Sequence, residues 1–194
     1  AYVSDAASPT ASYVSKKLNL VGFPTNAVDI LVNKNFFKKF LKKNGFNYPE
    51  FKVFRNKKNI DKFIKKIGYP FFVKPIDSSG SKGVTKIKKK NSLKKAISDA
   101  LSYSRKKQFI IEKNIERKGY QIAGDGFVME KKLVFRCWAD EHFNEKLNGL
   151  MTIGESFPTT HSEKKLKIAH RETQRIINLL GIKNGALNFD FIFD

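Results

Sequence analysis

The stretch FFVKPIDSSGSKGVTKI, residues 71–87, decides how the chain is read. An apolar run ends in Lys-Pro, passes through a small, polar, cationic loop, and returns to the alternating pattern VTKI. Two strands joined by such a loop form a hairpin, and its tip either holds an anion or is a mobile turn. Gly80 and Gly83 admit positive φ and leave the backbone bare, and bare N–H groups in a turn can converge on an anion. Ser78, Ser79 and Ser81 add hydroxyl donors, and Lys82 adds charge. The loop is not of the Walker A type: GxxxxGK followed by Ser or Thr is absent, and the loop leads to a strand rather than a helix. It is not GxGxxG either.

Four further positions are read outward from this loop. Lys74 stands in the otherwise apolar first strand, where alternation puts it on one face with Phe72 and Ile76, toward solvent or a cleft. Lys34 opens a predicted helix, where the dipole disfavours a cation; it marks a nearby anion or is one of many surface lysines. In FIIEKNIE, residues 109–116, a buried strand ends at Glu112-Lys113 and continues to Ile115. This is either a hinge that meets a purine edge or a strand emerging into solvent. Asp190, in LNFDFIF, is a carboxylate among Phe and Ile. It needs a partner if buried, a hard divalent cation being the natural one, or else it faces solvent beside Asn188 and Ile192.

The remaining pattern gives elements but no repeat. SPTASYVSKKLNL begins a helix with Ser8 as N-cap and Pro9 at the first helical position. A second helix covers about 34–43, with Phe37, Phe40 and Leu41 on its apolar face and Gly45 at its end. FKVFR is a strand, NIDKFIKKIGY a short helix with Phe63, Ile64 and Ile67 inward, and NSLKKAISDALSYS a helix capped by Asn91 or Ser92. The second half reads as consecutive antiparallel strands, YQIAGDGFVM, KLVFRCWAD and KLNGLMTIG, with a hairpin turn at 130–132. A long helix follows, SEKKLKIAHRETQRIINLLG, with Ile168, Ile176, Leu179 and Leu180 expected on its inner side, and then the strand GALNFDFIFD. Helices and strands mix without strict alternation, which predicts an α+β fold.

Composition bounds the rest. The 194 residues are 41% hydrophobic, with 18 Phe, enough for a real core. No run is long enough for a membrane span. Cys137 is the single cysteine, so no disulfide forms within the chain, and a reducing compartment, the cytoplasm, is expected. Lys+Arg number 38 against 18 Asp+Glu, a formal charge of +20. Such a balance fits a polyanionic partner or a Lys-rich compositional bias with solvated faces. His142, His161 and His170 lack Cys or carboxylate at metal-like spacing. Cys137-Trp138 reads as core rather than nucleophile. The chain begins without Met and stops on a strand pattern, and it is expected to be a piece of a longer protein.

Taken in order, the segments VNKNFFKKFLKKNGFNYPEF, YPFFVKPIDSSGSKGVTKI, FIIEKNIERKGYQIAGDGFV and GALNFDFIFD resemble the ATP-grasp superfamily over almost the whole chain. The resemblance implies an ATP-grasp fold, two α+β lobes with antiparallel sheets enclosing a nucleotide cleft. Residues 1–25 would be the tail of a preceding domain, 26–112 a linker helix and the small lobe, and 113–194 an incomplete large lobe. It implies ATP as the cofactor, with Lys34 and Lys74 on the phosphates and Ser78, Ser79, Gly80, Ser81, Lys82 and Gly83 as the lid. Glu112, Lys113 and Ile115 would surround adenine, and Gln121 stands where many members carry Glu near the ribose. Asp190 would hold Mg2+ (or Mn2+). The family's Glu-x-Asn metal pair should follow Asp190, beyond the sequence, so this piece alone is expected to be inactive or nearly so. Arg136, on a strand of the second lobe, is the candidate for holding the acyl substrate, with a structural ion pair as the alternative.

The implied activity is that of an ATP-dependent ligase: a small-molecule carboxylate becomes an acyl phosphate, and an amine or similar nucleophile takes the acyl group. Carbamoyl-phosphate-synthase-like or biotin-carboxylase-like chemistry is the nearer alternative. A degenerate nucleotide-binding module or a basic nucleic-acid-binding protein is the more distant one. The Phe residues fall at core periods rather than interleaving with surface Lys and Arg, so nucleic acid is not the expected partner. No membrane partner is expected, and a homodimer is allowed.

Overall fold

The computed structural model describes residues 5–144 and 150–194. Among them it contains α1 (Ser8–Lys17), α2 (Thr25–Val32), α3 (Lys34–Lys43), β1 (Phe51–Phe54), α4 (Ile60–Ile67), β2 (Phe71–Pro75), β3 (Thr85–Ile87), α5 (Leu93–Tyr103) and β4 (Phe109–Lys113). Then come β5 (Gln121–Met129), β6 (Lys132–Phe143), β7 (Thr152–Ser156), α6 (Glu163–Leu180) and β8 (Gly185–Phe191). The fold is α+β, with two four-stranded sheets whose paired strands are all antiparallel. Two compact units carry them: Ile30–Ile115, and the residues up to Asp29 together with Glu116–Asp194.

In the Ile30–Ile115 unit the strand order is β1-β4-β2-β3. One sheet face is covered by α4 and α5 through a core that includes Phe54, Phe63, Ile64, Phe71, Val73, Ile97, Phe109 and Ile111. The α4 helix forms because Ile60, Phe63, Ile64 and Ile67 repeat at three- and four-residue intervals and all four are buried. Phe72 is paired with Glu112 and Lys74 with Ile110, so these four share the face turned away from that core. Helix α3 is bounded at both ends by local chemistry. The Asn33 side chain accepts from the N–H groups of Asn35 (3.0 Å) and Phe36 (3.2 Å). At the far end Gly45, at φ +69°, lets Phe46 N–H reach the Leu41 carbonyl at 3.0 Å, a Schellman closure.

In the other unit the order is β7-β6-β5-β8. The β5–β6 hairpin turns on Glu130 and Lys131, both at positive φ, as a two-residue turn of the primed kind demands. Gly124 and Gly126 on β5 make room for neighbours. A Cβ on Gly124 would stand 2.3 Å from the Cys137 carbonyl oxygen, and one on Gly126 would meet the Phe189 ring at 2.6 Å. Trp138 stacks on Phe189 at 5.8 Å, on the face that α6 covers.

Several expectations need correction. Ser8 is not the N-cap of α1: Ala7 holds that position without a capping side chain, and Ser8 and Pro9 lie inside the first turn. Proline fits there because its missing N–H is one that the helix start leaves unpaired anyway. Residues 25–32 form their own helix, α2, ended at Asn33 before α3 begins. The inner stripe of α6 is Leu166, Ala169, Thr173, Ile177 and Leu180, while Ile168 and Leu179 lie outside. At 100° per residue, Ile168 is about 200° around the helix from Leu166, so only one of the two can face the sheet. Ser92 precedes α5 but donates to the Lys89 carbonyl at 3.1 Å instead of capping it. Of the strand expected at 146–154, residues 146–149 lie outside the described residues, and β7 begins at Thr152.

Candidate functional site

The hairpin loop is pinned at its base and open at its tip. Asp77 accepts from the Ser104 hydroxyl at 2.8 Å and from the Lys106 N–H at 3.0 Å. Gly83, at φ +71°, lies so close to Tyr103 that a Cβ would stand 2.9 Å from its ring. Between these anchors Gly80 and Ser81 both take positive φ, and Ser79 to Lys82 are exposed. Ser78 Oγ donates to the Lys82 carbonyl at 3.2 Å, closing the loop on itself. A short exposed loop with left-handed residues is a backbone shape that can cup an anion.

Lys34 is tied to that base twice. Its N–H donates to the Ile76 carbonyl at 2.9 Å, and its Nζ donates to the Ser78 carbonyl. The Asn33 cap fixes where this first residue of α3 sits. Lys74 projects from β2 over the Phe72 ring, 4.9 Å from its centroid, and its Nζ donates to Glu112 Oε1 at 2.9 Å. The register explains the contact: Phe72 is directly opposite Glu112, and Lys74 reaches it on the diagonal.

Glu112 is therefore a hub rather than a free acceptor. Its second oxygen, Oε2, is 3.1 Å from Nζ of Lys38, one helical turn beyond Lys34 on α3. The residue is buried. Burial alone would raise its carboxyl, but the ammonium groups of Lys74 and Lys38 outweigh it and hold it below the ordinary value. Burial lowers the Lys38 ammonium; Glu112 opposes this and the like charge of Lys74 adds to it. The sequence reading missed Lys38, which looks like every other lysine in KNFFKKFLKK. Of the other residues expected around adenine, Lys113 donates its N–H to the Glu50 carbonyl at 2.8 Å, and Ile115 lies half-buried where the unit ends.

In the other unit, strand pairing places Gln121 opposite Glu141 and Ala123 opposite both Ala139 and Asp190. Gln121, Glu141 and Asp190 thus share one sheet face. Gln121 Nε2 donates to Glu141 Oε2 at 2.5 Å, and Thr152 Oγ1 donates to Oε1. Asp190 is exposed as a residue, yet the protein packed around its carboxyl, followed by the charge of Glu141, pushes it up to about 6. Arg136 is not brought to this group. It pairs with Gly126, on the face that α6 covers, and its charge is felt by His170 of that helix, whose ring burial and Arg136 hold below the ordinary histidine value. The period of two along β6 puts it on the opposite sheet face from Glu141 and Asp190.

A family model described as D-ala D-ala ligase C-terminus matches residues 40–141, just over half of the chain. A D-alanine–D-alanine ligase from Parabacteroides distasonis is 31% identical over 129 residues, covering 65% of this chain and 38% of that protein. A second, from Geobacillus thermodenitrificans, is 41% identical over 56 residues, 29% of this chain and 15% of that protein. The chain thus spans well under half the length of the curated relatives it matches. Among solved structures, a biotin carboxylase–βγ-ATP complex from Campylobacter jejuni has a TM-score of 0.82 at 19% identity, over 100% of this chain and 44% of that one. The VanG D-Ala:D-Ser ligase of Enterococcus faecalis has a TM-score of 0.78 at 20% identity, over 97% of this chain and 57% of that one. With two antiparallel α+β units and these matches, the chain belongs to the D-ala D-ala ligase C-terminus family and has the ATP-grasp fold.

Proposed function

We propose that the protein containing this chain is an ATP-dependent ligase that joins a carboxylate to an amine. The observation that carries the reading is the cluster in the Ile30–Ile115 unit, where a pinned Ser/Gly loop, Lys34 at its base and a Lys74–Glu112 pair lie within one continuous segment. In this reading Lys34 and Lys74 bind the ATP phosphates, and the amides and hydroxyls of residues 78–83 close over them. Glu112, Lys113 and Ile115 hold adenine, and Gln121 reaches the ribose. Residues 26–112 then act as small lobe and 113–194 as part of the large lobe. The names of the relatives suggest amino acids for both the carboxylate and the amine, with D-alanine the first pair to test.

In the reaction, a carboxylate oxygen attacks the γ-phosphorus and ADP leaves. The amine nitrogen then attacks the acyl carbon, the C–O bond to phosphate breaks, and the amine loses a proton. The residues of this chain act by position and charge, since phosphoryl transfer leaves the protein little covalent work. Loop closure would keep water from the acyl phosphate. Asp190 is the residue that would hold Mg2+ or Mn2+; burial first and the charge of Glu141 second raise its carboxyl, and a cation would give the ionised form a partner. Among the described residues no three His, Cys, Asp or Glu side chains converge as a metal site. When bound, the ion would neutralise phosphate charge.

The test is ADP release by the full-length protein across carboxylates, D-alanine first, with and without amines. Release above background with at least one pair is expected, and none with any pair overturns the ligase reading. Lys74→Ala should weaken Mg-ATP binding by roughly ten- to a hundredfold, the range for losing a charge-assisted hydrogen bond. Binding as tight as the parent's would remove Lys74 from the site.

A further inference from the structure

We propose that Lys38 is a positioning residue for nucleotide binding: it holds Glu112 in place and keeps it neutralised, so that Lys74 can leave that carboxylate for an incoming phosphate. The inference rests on the nucleotide reading of this unit. The geometry divides the carboxylate between two cations. Lys74 takes Oε1 at 2.9 Å and Lys38 takes Oε2 at 3.1 Å, with side-chain exposures of 21%, 16% and 9% for Lys74, Lys38 and Glu112. A carboxylate this buried cannot be left without a counter-ion except at great cost. If Lys74 were its sole partner, Lys74 could serve a phosphate only by abandoning Glu112.

Two ammonium groups on one carboxylate remove that conflict. The cluster carries one positive charge in excess, which an anion would balance. Lys38 cannot itself serve as the mobile partner as readily. It is the less exposed of the two lysines, and it rises from α3, whose start is fixed by the Asn33 cap and the bond from Lys34 N–H to the Ile76 carbonyl. Lys74 sits beside the loop strand β3, with Lys86 of that strand sharing the Phe72 ring at 5.9 Å. Helix α3 thus presents Lys34 to the loop and, one turn on, Lys38 to Glu112.

The test measures Mg-ATP affinity of the full-length protein by calorimetry, with a thermal melt on each variant to confirm folding. Lys38→Met should weaken Mg-ATP binding by roughly tenfold or more, because Lys74 stays committed to Glu112. Lys38→Arg, which keeps the charge, should stay within about threefold of the parent. In a Glu112→Gln background, Lys38→Met should change affinity by less than about twofold, since the carboxylate that needs Lys38 is gone. Three results overturn the role: undiminished affinity in Lys38→Met, equal damage in Lys38→Arg, or the same loss in the Glu112→Gln background. If Lys38→Met does not fold, Lys38→Gln replaces it under the same criteria. A parent that binds no adenine nucleotide overturns the nucleotide reading and this role together. A parent that binds while Lys38→Met is unaffected overturns this role alone.

Discussion

Asp140 lies wholly out of solvent on β6 and accepts three hydrogen bonds, from Thr159 Oγ1 at 2.5 Å, Thr160 Oγ1 at 2.6 Å and Thr160 N–H at 2.9 Å. Burial works to raise its carboxyl, but the two threonine hydroxyls and the Thr160 amide prevail and lower it. A carboxyl lowered on folding adds stability that is present above the unfolded value and is lost as the pH falls through the folded one. Asp140→Ala should therefore cost about 2–3 kcal/mol near neutral pH, where three donors lose a charged acceptor. The gap from the parent should narrow below about pH 4, near the unfolded aspartate value. Urea unfolding at pH 7 and pH 3 checks both, and a gap equal at the two pH values would contradict the assignment. At this scale the sequence was readable where a residue breaks its local pattern. Lys74 in an apolar strand, Glu112 at the end of a buried one and Asp190 among Phe and Ile each stood out. Lys38 and Asp140 did not. A lysine among lysines and an aspartate near the end of a long strand are distinguished only by what the folded chain brings to them, a carboxylate 74 positions away for the first and a Thr-Thr pair for the second.

Elements follow the same division between local and tertiary causes. The β5–β6 hairpin, the Gly45 helix stop and the buried side of α4 were legible because each rests on a positive-φ turn or on a single amphipathic period. The orientation of α6 was not. Its sequence offers two apolar stripes, and the one containing Ile177 won because it packs toward the sheet that carries Leu133, whose N–H donates to Gln174 Oε1 of α6 at 2.9 Å. The same tertiary demand explains Gly124. Nothing local requires glycine there, but β6 passes so close that a Cβ would lie 2.3 Å from the Cys137 carbonyl oxygen, a backbone atom that cannot turn aside. Gly124→Ala should force β5 and β6 apart and lower stability by about 1–3 kcal/mol or more. Gly154→Ala on β7 is the matched control, since a Cβ there meets nothing within 4 Å. Its effect should stay within about 0.5 kcal/mol. Urea midpoints of the two variants decide the matter, and equal shifts would show that the close approach of β6 is not what selects glycine at position 124.

At the scale of the molecule, the two units differ in how the chain supplies them. Ile30–Ile115 is one continuous segment. All four strands of its sheet and every residue of its main core, from Phe54 to Ile111, come from within it. The other unit is discontinuous, built from the residues up to Asp29 and from Glu116–Asp194. Its β8 strand depends on both parts, because Phe23 packs against Gly185 so closely that a Cβ at 185 would stand 2.4 Å from the ring. Folding free energy comes mainly from burying apolar surface within one cooperative core, so a segment that owns its whole core should fold alone. Expressed by itself, the segment 30–115 should give a sigmoidal thermal melt and a mixed helix–strand circular dichroism spectrum, its length lying within the range of independent domains. The segment 116–194 by itself should not, since Phe23 and the helix α1 are missing from it. Adding residues 5–29 in trans, as a peptide, should sharpen its melt. A cooperative melt from 116–194 alone would mean that the early residues only decorate that unit. A featureless melt from 30–115 would mean that the lysine–glutamate cluster depends on the rest of the chain, and that the unit proposed to grip the nucleotide is not a folding unit in its own right.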